Sequence, residues 1–274
     1  MTSKATHPTI SFIGGGNMAR ALIGGLVEAG TPADDITVAD PSAAQRNAAE
    51  SDFGIRSSHD NAEAVAGRDV IVLAVKPQIM DEVLASIRNS ISENAVAISV
   101  AAGVTLQRLG AGLGEHLALV RAMPNTPALY GAGITGMVAN DRTDEAQRQR
   151  AENILGSAGE VVWIEREDLM DAVTAISGSG PAYFFALAEH LTRAGEVAGL
   201  PGETAARLAR QTAYGAGVML ARSEMETAEL RRRVTSPGGT TEAALNSLKS
   251  NDFEQLVKNA VEAAIRRGRE LGAG

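Results

Sequence analysis

Glycine clusters in two places where bare backbone could hold an anion. The first is "FIGGGNMARAL", residues 12–22, in which Gly14, Gly16 and Ala19 keep the GxGxxG/A spacing. That spacing lets Gly14 make a tight turn, Gly16 bring backbone up to a pyrophosphate, and Ala19 pack a helix close to a sheet. Ile13, Gly14, Gly15, Gly16, Asn17 and Met18 are therefore candidate contacts of a dinucleotide. A helix starting there would offer unpaired N–H groups and the positive end of its dipole.

The second cluster is "RRRVTSPGGTTEAAL", residues 231–245. Proline and paired glycines interrupt a helix-forming stretch, so Ser236, Gly238, Gly239, Thr240 and Thr241 stand in a turn before another helix. Taken alone, this is a helix cap after a turn as readily as a binding loop. As a loop it would expose backbone N–H groups to an anion at a helix N-terminus.

Other candidates depend on these two. Asp40 closes the apolar run "DITVAD", about twenty residues past the fingerprint. A carboxylate there accepts from adenosine ribose hydroxyls and repels a 2′-phosphate, which favours NADH over NADPH. The competing reading is that Asp40, with Pro41 and Ser42, only starts the next helix. "LAVKPQ" and "VAAG" end further strands, which brings Ala74, Val75, Lys76, Pro77, Ala101, Ala102 and Gly103 to the ligand side of such a sheet. Lys76, one of four lysines, reads otherwise as an exposed loop charge.

The elements that must carry these residues fall into two rhythms. Up to about Ile164, short Val/Ile runs alternate with helical periods: "TISFIG", "DITVAD", "DVIVLAV", "NAVAISVAAG", "LALVRAM", "ITGMVAN" and "EVVWI". Strand and helix in alternation predict a doubly wound α/β fold with a mainly parallel sheet. Beyond Trp163 only helical periods remain, in segments such as "PAYFFALAEHLTRAGEVAGL" and "DFEQLVKNAVEAAIRRGREL". The predicted domains are 1–165 and 166–274, with the boundary near Glu165–Glu167. The second could be a self-contained bundle. Its broad apolar helices and small core favour dimerisation instead.

Composition excludes several classes of chemistry. There is no cysteine, so thiolate catalysis, disulfides and thiolate metal sites are absent. His7, His59, His116 and His190 are scattered without ligand spacing, so no metal site is expected. A formal net charge of −8 argues against nucleic-acid binding. The polar start "MTSKATHPT" does not resemble a secretory signal, and no run approaches the length of a membrane span, so a cytoplasmic protein is expected.

Five phrases taken together go beyond the generic fold: "FIGGGNMA", "AVKPQ", "RAMPNTPAL" (121–129), "SGSGPAY" (177–183) and "VTSPGGTTEAAL". In this order and spacing the chain resembles the Δ1-pyrroline-5-carboxylate reductase family over nearly its whole length. The resemblance implies a Rossmann-like domain followed by an all-helical dimerisation domain, an interlocked homodimer and, in many members, a ring of five dimers. It implies hydride transfer from NADPH or NADH to the imine carbon of 1-pyrroline-5-carboxylate, which becomes C5 of L-proline, the final step of proline biosynthesis. By the same resemblance the loop Ser236–Thr241 holds the substrate, its N–H groups and the Ser236 hydroxyl receiving the carboxylate and Thr241 hydrogen-bonding the ring nitrogen. Asn61 matches an asparagine near the adenosine ribose. Arg233 matches a residue approaching the cofactor, or else serves only as positive charge at a helix end. "SGSGPAY" matches a helix near the substrate, or else is a simple helix break. Two rivals remain. A β-hydroxyacid dehydrogenase would carry a lysine in its catalytic helix, whereas Lys249 and Lys258 lie outside "SGSGPAY". A dinucleotide-binding regulator would need no substrate loop.

Overall fold

The computed structural model describes residues 7–272. Most of the N-terminal stretch read above as no secretory signal therefore lies outside the described residues. The chain groups into two compact units, each taken by itself below. One runs to Gly178 and also takes in the chain from Ala264 onward; the other is Ser179–Ala263.

The first unit is built on eight strands: β1 (Ile10–Ile13), β2 (Ile36–Ala39), β3 (Arg56–Ser58), β4 (Val70–Leu73), β5 (Val96–Ser99), β6 (Ala118–Met123), β7 (Gly133–Ala139) and β8 (Gly159–Trp163). They form one sheet in the order β3-β2-β1-β4-β5-β6-β7-β8. All neighbouring pairs are parallel except β6 with β7. Strand order reverses between β1 and β4, whose ends are in register at Ile13 and Leu73. Ligands bind such sheets at that reversal, beyond the strands' C-terminal ends.

The intervening helices are α1 (Asn17–Glu28), α2 (Ala43–Phe53), α3 (Asn61–Val65), α4 (Met80–Ile87), α5 (Leu106–Leu113) and α6 (Glu145–Leu155). Alternation along the strands explains why both sheet faces are covered. On β4, Val70 and Val72 join a core with Leu22, Ile23 and Leu26 of α1 and Ile154 of α6. Ile71 and Leu73 point the other way, to Met80 and Leu84 of α4 and Leu109 of α5. A strand buried on both faces reads as a continuous apolar run, which is why these strands stand out in the sequence. The strand β3 does not: its "RSS" is short, polar and at the sheet edge.

The sheet unit extends past the boundary drawn from sequence. After β8, the segment α7 (Met170–Val173) runs into a π-helical turn, Thr174–Gly178, a form common at functional sites. Val173 packs where a side chain on Gly136 of β7 would collide with it, at 2.5 Å. This explains why the segment groups with the sheet rather than with the helices that follow.

The second unit contains α8 (Gly180–Val197), α9 (Gly202–Arg222), α10 (Thr227–Arg233) and α11 (Thr240–Ser250), with most of α12 (Phe253–Gly272). Helices α8 and α9 lie together, with Gly195 against Ala205. Within Ser179–Ala263 only Gly180, Ala205, Ala209 and Leu230 are buried. Phe184, Phe185, Tyr214 and Leu256 are each more than 60% exposed in the single chain. The last turns of α12 belong to the first unit, where Gly268 sits beside Asp171 and the backbone of Leu271 beside Gly103.

Candidate active site

The glycine loop connects β1 to α1. Gly14 has φ +98°, and a Cβ there would stand 2.6 Å from the Ala74 carbonyl oxygen, so glycine is required on both counts. Gly14 N–H donates to Ala39 O at 2.7 Å and Ala74 N–H to Ile13 O at 2.8 Å, which binds the ends of β1, β2 and β4 together. Gly16 faces open space and begins α1 without any side-chain cap. This is the arrangement a phosphate needs: exposed backbone at an uncapped helix N-terminus.

A cavity of about 700 Å³ lies at this point of the sheet. Of the residues expected from sequence to meet a dinucleotide, Ile13, Gly14, Gly16, Asp40, Asn61, Ala74, Val75 and Lys76 line it. Sequence reasoning missed Gln45, His59 and Ser86, which also line it; polar exposed positions on neighbouring elements carry no periodic signal. Gly15 of the loop, and Asn17 and Met18 at the start of α1, do not line the cavity, and Pro77 opens a 3₁₀ turn behind Lys76. Ala101, Ala102 and Gly103 follow β5, outside this cavity. Gly103 borders a separate one of about 390 Å³ with Thr105, Arg121, Glu167 and Asp171.

Asp40 is more committed than the sequence implies. One carboxylate oxygen accepts from Gly15 N–H at 2.8 Å and the other from Ser42 N–H at 2.8 Å. The side chain thus ties the glycine loop to the end of β2 while lining the cavity. Arg46 folds back on the same turn, its Nη1 donating to the carbonyls of Asp40 (2.7 Å) and Pro41 (3.1 Å). Asn61 begins α3, with Asp60 capping that helix, and donates to Ser86 Oγ at 3.2 Å.

In the helical unit, Ser236–Gly239 forms a four-residue turn closed by Gly239 N–H to Ser236 O at 3.0 Å. Pro237 takes the second place and Gly238, with φ +70°, the third, where a type II turn demands positive φ. The helix α11 then starts at Thr240 without a side-chain cap. Glu242, one turn in, accepts from Gly238 N–H at 2.8 Å. An acidic group thus already occupies one donor of the turn. Arg232 and Arg233 pair with Glu229 inside α10.

"RAMPNTPAL" meets the first two residues of "SGSGPAY" within the sheet unit. Asn125 of "RAMPNTPAL", 8% exposed, accepts from Ile134 N–H at 3.0 Å and donates to Ser177 O at 3.1 Å. Met123 lies where any side chain on Gly178 would collide, at 2.6 Å. Ser177 and Gly178 of "SGSGPAY" thus end the π-turn and pack on the end of β6, while Gly180–Tyr183 open α8.

Among the described residues, no three His, Cys, Asp or Glu side chains gather closely enough to hold a metal ion. No helix among them is long and apolar enough to cross a membrane.

Two family models match the chain. Residues 9–103 match one described as NADP oxidoreductase, coenzyme F420-dependent, and residues 167–271 one described as pyrroline-5-carboxylate reductase dimerisation. A pyrroline-5-carboxylate reductase of Pseudomonas aeruginosa is 50% identical over 264 residues, 96% of this chain and 97% of that one. A solved pyrroline-5-carboxylate reductase from Coxiella burnetii superposes with a TM-score of 0.93 at 40% identity, covering 97% of this chain and 99% of that one. A Plasmodium falciparum pyrroline carboxylate reductase solved with NADP bound has a TM-score of 0.83 at 32% identity, covering 97% and 98%.

Proposed function

This chain belongs to the pyrroline-5-carboxylate reductase family, and on that premise we propose how its residues carry the reduction. The reduction places a hydride, which bound NADH or NADPH would supply, on the imine carbon C2 of 1-pyrroline-5-carboxylate (C5 of the product) and a proton on the ring nitrogen, leaving L-proline and the oxidised cofactor. The nicotinamide, when bound, supplies that hydride. Everything else falls to the protein.

In the sheet unit, Ile13–Met18 cradle the pyrophosphate and Asp40 with Asn61 face the adenosine ribose. Ala74–Pro77 and Ala101–Gly103 flank the nicotinamide end. In the helical unit, the Ser236 hydroxyl and the N–H groups of the turn and of Thr240 and Thr241 receive the substrate carboxylate, which displaces Glu242 from Gly238. Thr241 hydrogen-bonds the ring nitrogen. Its hydroxyl has too high a pKa to give up a proton readily at neutral pH, so it relays one from solvent. Positioning two reactants can account for about 7–11 kcal/mol of a barrier, enough for an iminium already electrophilic.

The observation that supports this reading most is the Gly14–Ala74 contact beneath an uncapped helix N-terminus. Beside it Gly16 faces open space, where a side chain would stand in the way of a pyrophosphate. Asp40 favours NADH, since a 2′-phosphate would meet its carboxylate. The protein self-associates through residues 167–271, and we extend this to a homodimer, with a ring of five dimers above it, acting in the cytoplasm on a small-molecule substrate.

The test is the loss of nicotinamide absorbance with 1-pyrroline-5-carboxylate, using NADH and NADPH in parallel. Turnover with that imine and faster use of NADH is expected. Oxidation only with a 2-oxo or 3-oxo acid would overturn the reading, as would no turnover at all.

A further inference from the structure

Arg121 of β6, 7% exposed, is the one charged residue buried in the core among the described residues. Its Nη1 donates to Glu167 Oε1 at 2.9 Å, while the nearest Asp171 oxygen is 4.0 Å from Nη2. The same Glu167 oxygen accepts Leu106 N–H at 2.8 Å. One carboxylate atom from beyond β8 thus joins Arg121 of β6 to the first residue of α5. That helix start follows directly on the loop Ala101–Gly103, whose exit is closed by Val104 N–H to Ala101 O at 3.4 Å.

The same helical turn is tied on its other side to the neighbouring loop. Arg108 donates to both carboxylate oxygens of Asp81, at 2.8 and 3.0 Å, and to the carbonyl oxygen of Pro77 at 3.3 Å. One turn of α5 therefore stands between the loop after β4 and the loop after β5. Glu167 holds it from one side and Arg108 from the other. Asp171 lines the adjoining cavity of about 390 Å³ and faces Arg121 from 4.0 Å, but it is Glu167 that accepts from Leu106 N–H.

We infer that Glu167 is a positioning residue for the cofactor: through Leu106 N–H it fixes the first turn of α5, and so the spacing of loops 74–77 and 101–103. The inference rests on the assignment of those loops to the nicotinamide end. It gives the acid at the start of the second half a role in dinucleotide binding with no contact to the ligand.

The experiment compares Glu167→Ala, Glu167→Gln and Ala102→Trp in the full-length assembled protein. Cofactor Kd is read by fluorescence titration, KM for each reactant by steady-state rates, and Tm by calorimetry. Glu167→Ala should raise cofactor Kd and KM about tenfold while substrate KM stays within about twofold. Glu167→Gln keeps an acceptor for Leu106 N–H and should recover cofactor KM to within about threefold. If the alanine variant does not fold, Glu167→Asp, one methylene shorter, should raise cofactor KM with little change in Tm. A fall in Tm with cofactor KM unchanged, or equal shifts in both KM values, would overturn the inference. Ala102→Trp separates the two layers. If it weakens cofactor binding and the Glu167 variants do not, only the inference falls. If it leaves cofactor binding untouched, the loop assignment falls and takes the inference with it.

Discussion

The sheet unit closes its core within one chain, whereas the helical unit does not. Strands β1, β2, β4 and β5 are buried along their whole length, packed by helices on both faces. In Ser179–Ala263 long helices instead turn phenylalanine, tyrosine and leucine outward. Exposed apolar surface on that scale calls for a partner, and residues 167–271 match a dimerisation model. Each half therefore depends on something different: the sheet on its own alternation, the helices on a second copy.

The largest effect should come from challenging that dependence. Phe185→Glu replaces an exposed ring with a charge; burying phenylalanine contributes about 2 kcal/mol, counted twice across a twofold interface. The dimer dissociation constant should rise on the order of 1000-fold, measured by light scattering against concentration. Cofactor affinity of the sheet unit should stay near wild type. If the variant remains fully dimeric, Phe185 lies outside the interface.

Gly14→Val runs the comparison the other way. Its Cβ collides with Ala74 O and its φ is unfavourable, for about 1–3 kcal/mol of strain. Cofactor affinity should fall by at least about 100-fold while self-association is unaltered. Smaller again, Thr241→Ala should lower kcat by roughly 10–100-fold and leave cofactor Kd unchanged. Complete loss of turnover in a folded dimer would make the hydroxyl indispensable rather than a relay.

The smallest effect concerns pH. Hydrogen bonds from Arg108 hold Asp81 below the usual carboxylate range. A lowered pKa contributes stability above the pH where free aspartate titrates, about 4, and loses it as pH falls through the lowered value. Asp81→Asn should lower Tm slightly at neutral pH and meet the wild-type curve at low pH, so that this acid limb flattens. An unchanged acid limb would show that other carboxylates set it.

The doubly wound half and the glycine fingerprint were legible because burial on both faces and the needs of a tight turn restrict residue choice locally. β3 was not, because three polar residues at an edge carry no pattern. Asp40 was found at its place, yet its bonds to Gly15 and Ser42 arise from tertiary packing. The helical half was readable as helices, with the turn at Ser236–Gly239 marked by its proline and glycines. Its hydrogen bond from Gly238 to Glu242 was not visible from spacing alone. The Arg121–Glu167 pair joins residues 46 apart on different elements, where sequence offers no periodic cue. The extension of the sheet unit to Gly178 has the same origin: Val173 and Met123 fit against glycines whose neighbours only the fold reveals.

The last turns of α12 return to the sheet unit beside Gly103 and Asp171. During synthesis, then, the crevice at β1 and β4 can assemble early, but the loop after β5 is left without its backing until the segment past Ala264 emerges. A chain shortened before that point should keep its sheet and lose the firmness of the loop after β5. With that loop at the nicotinamide end, as proposed, competence for cofactor arrives late in translation, after the helices that recruit a second copy are already made.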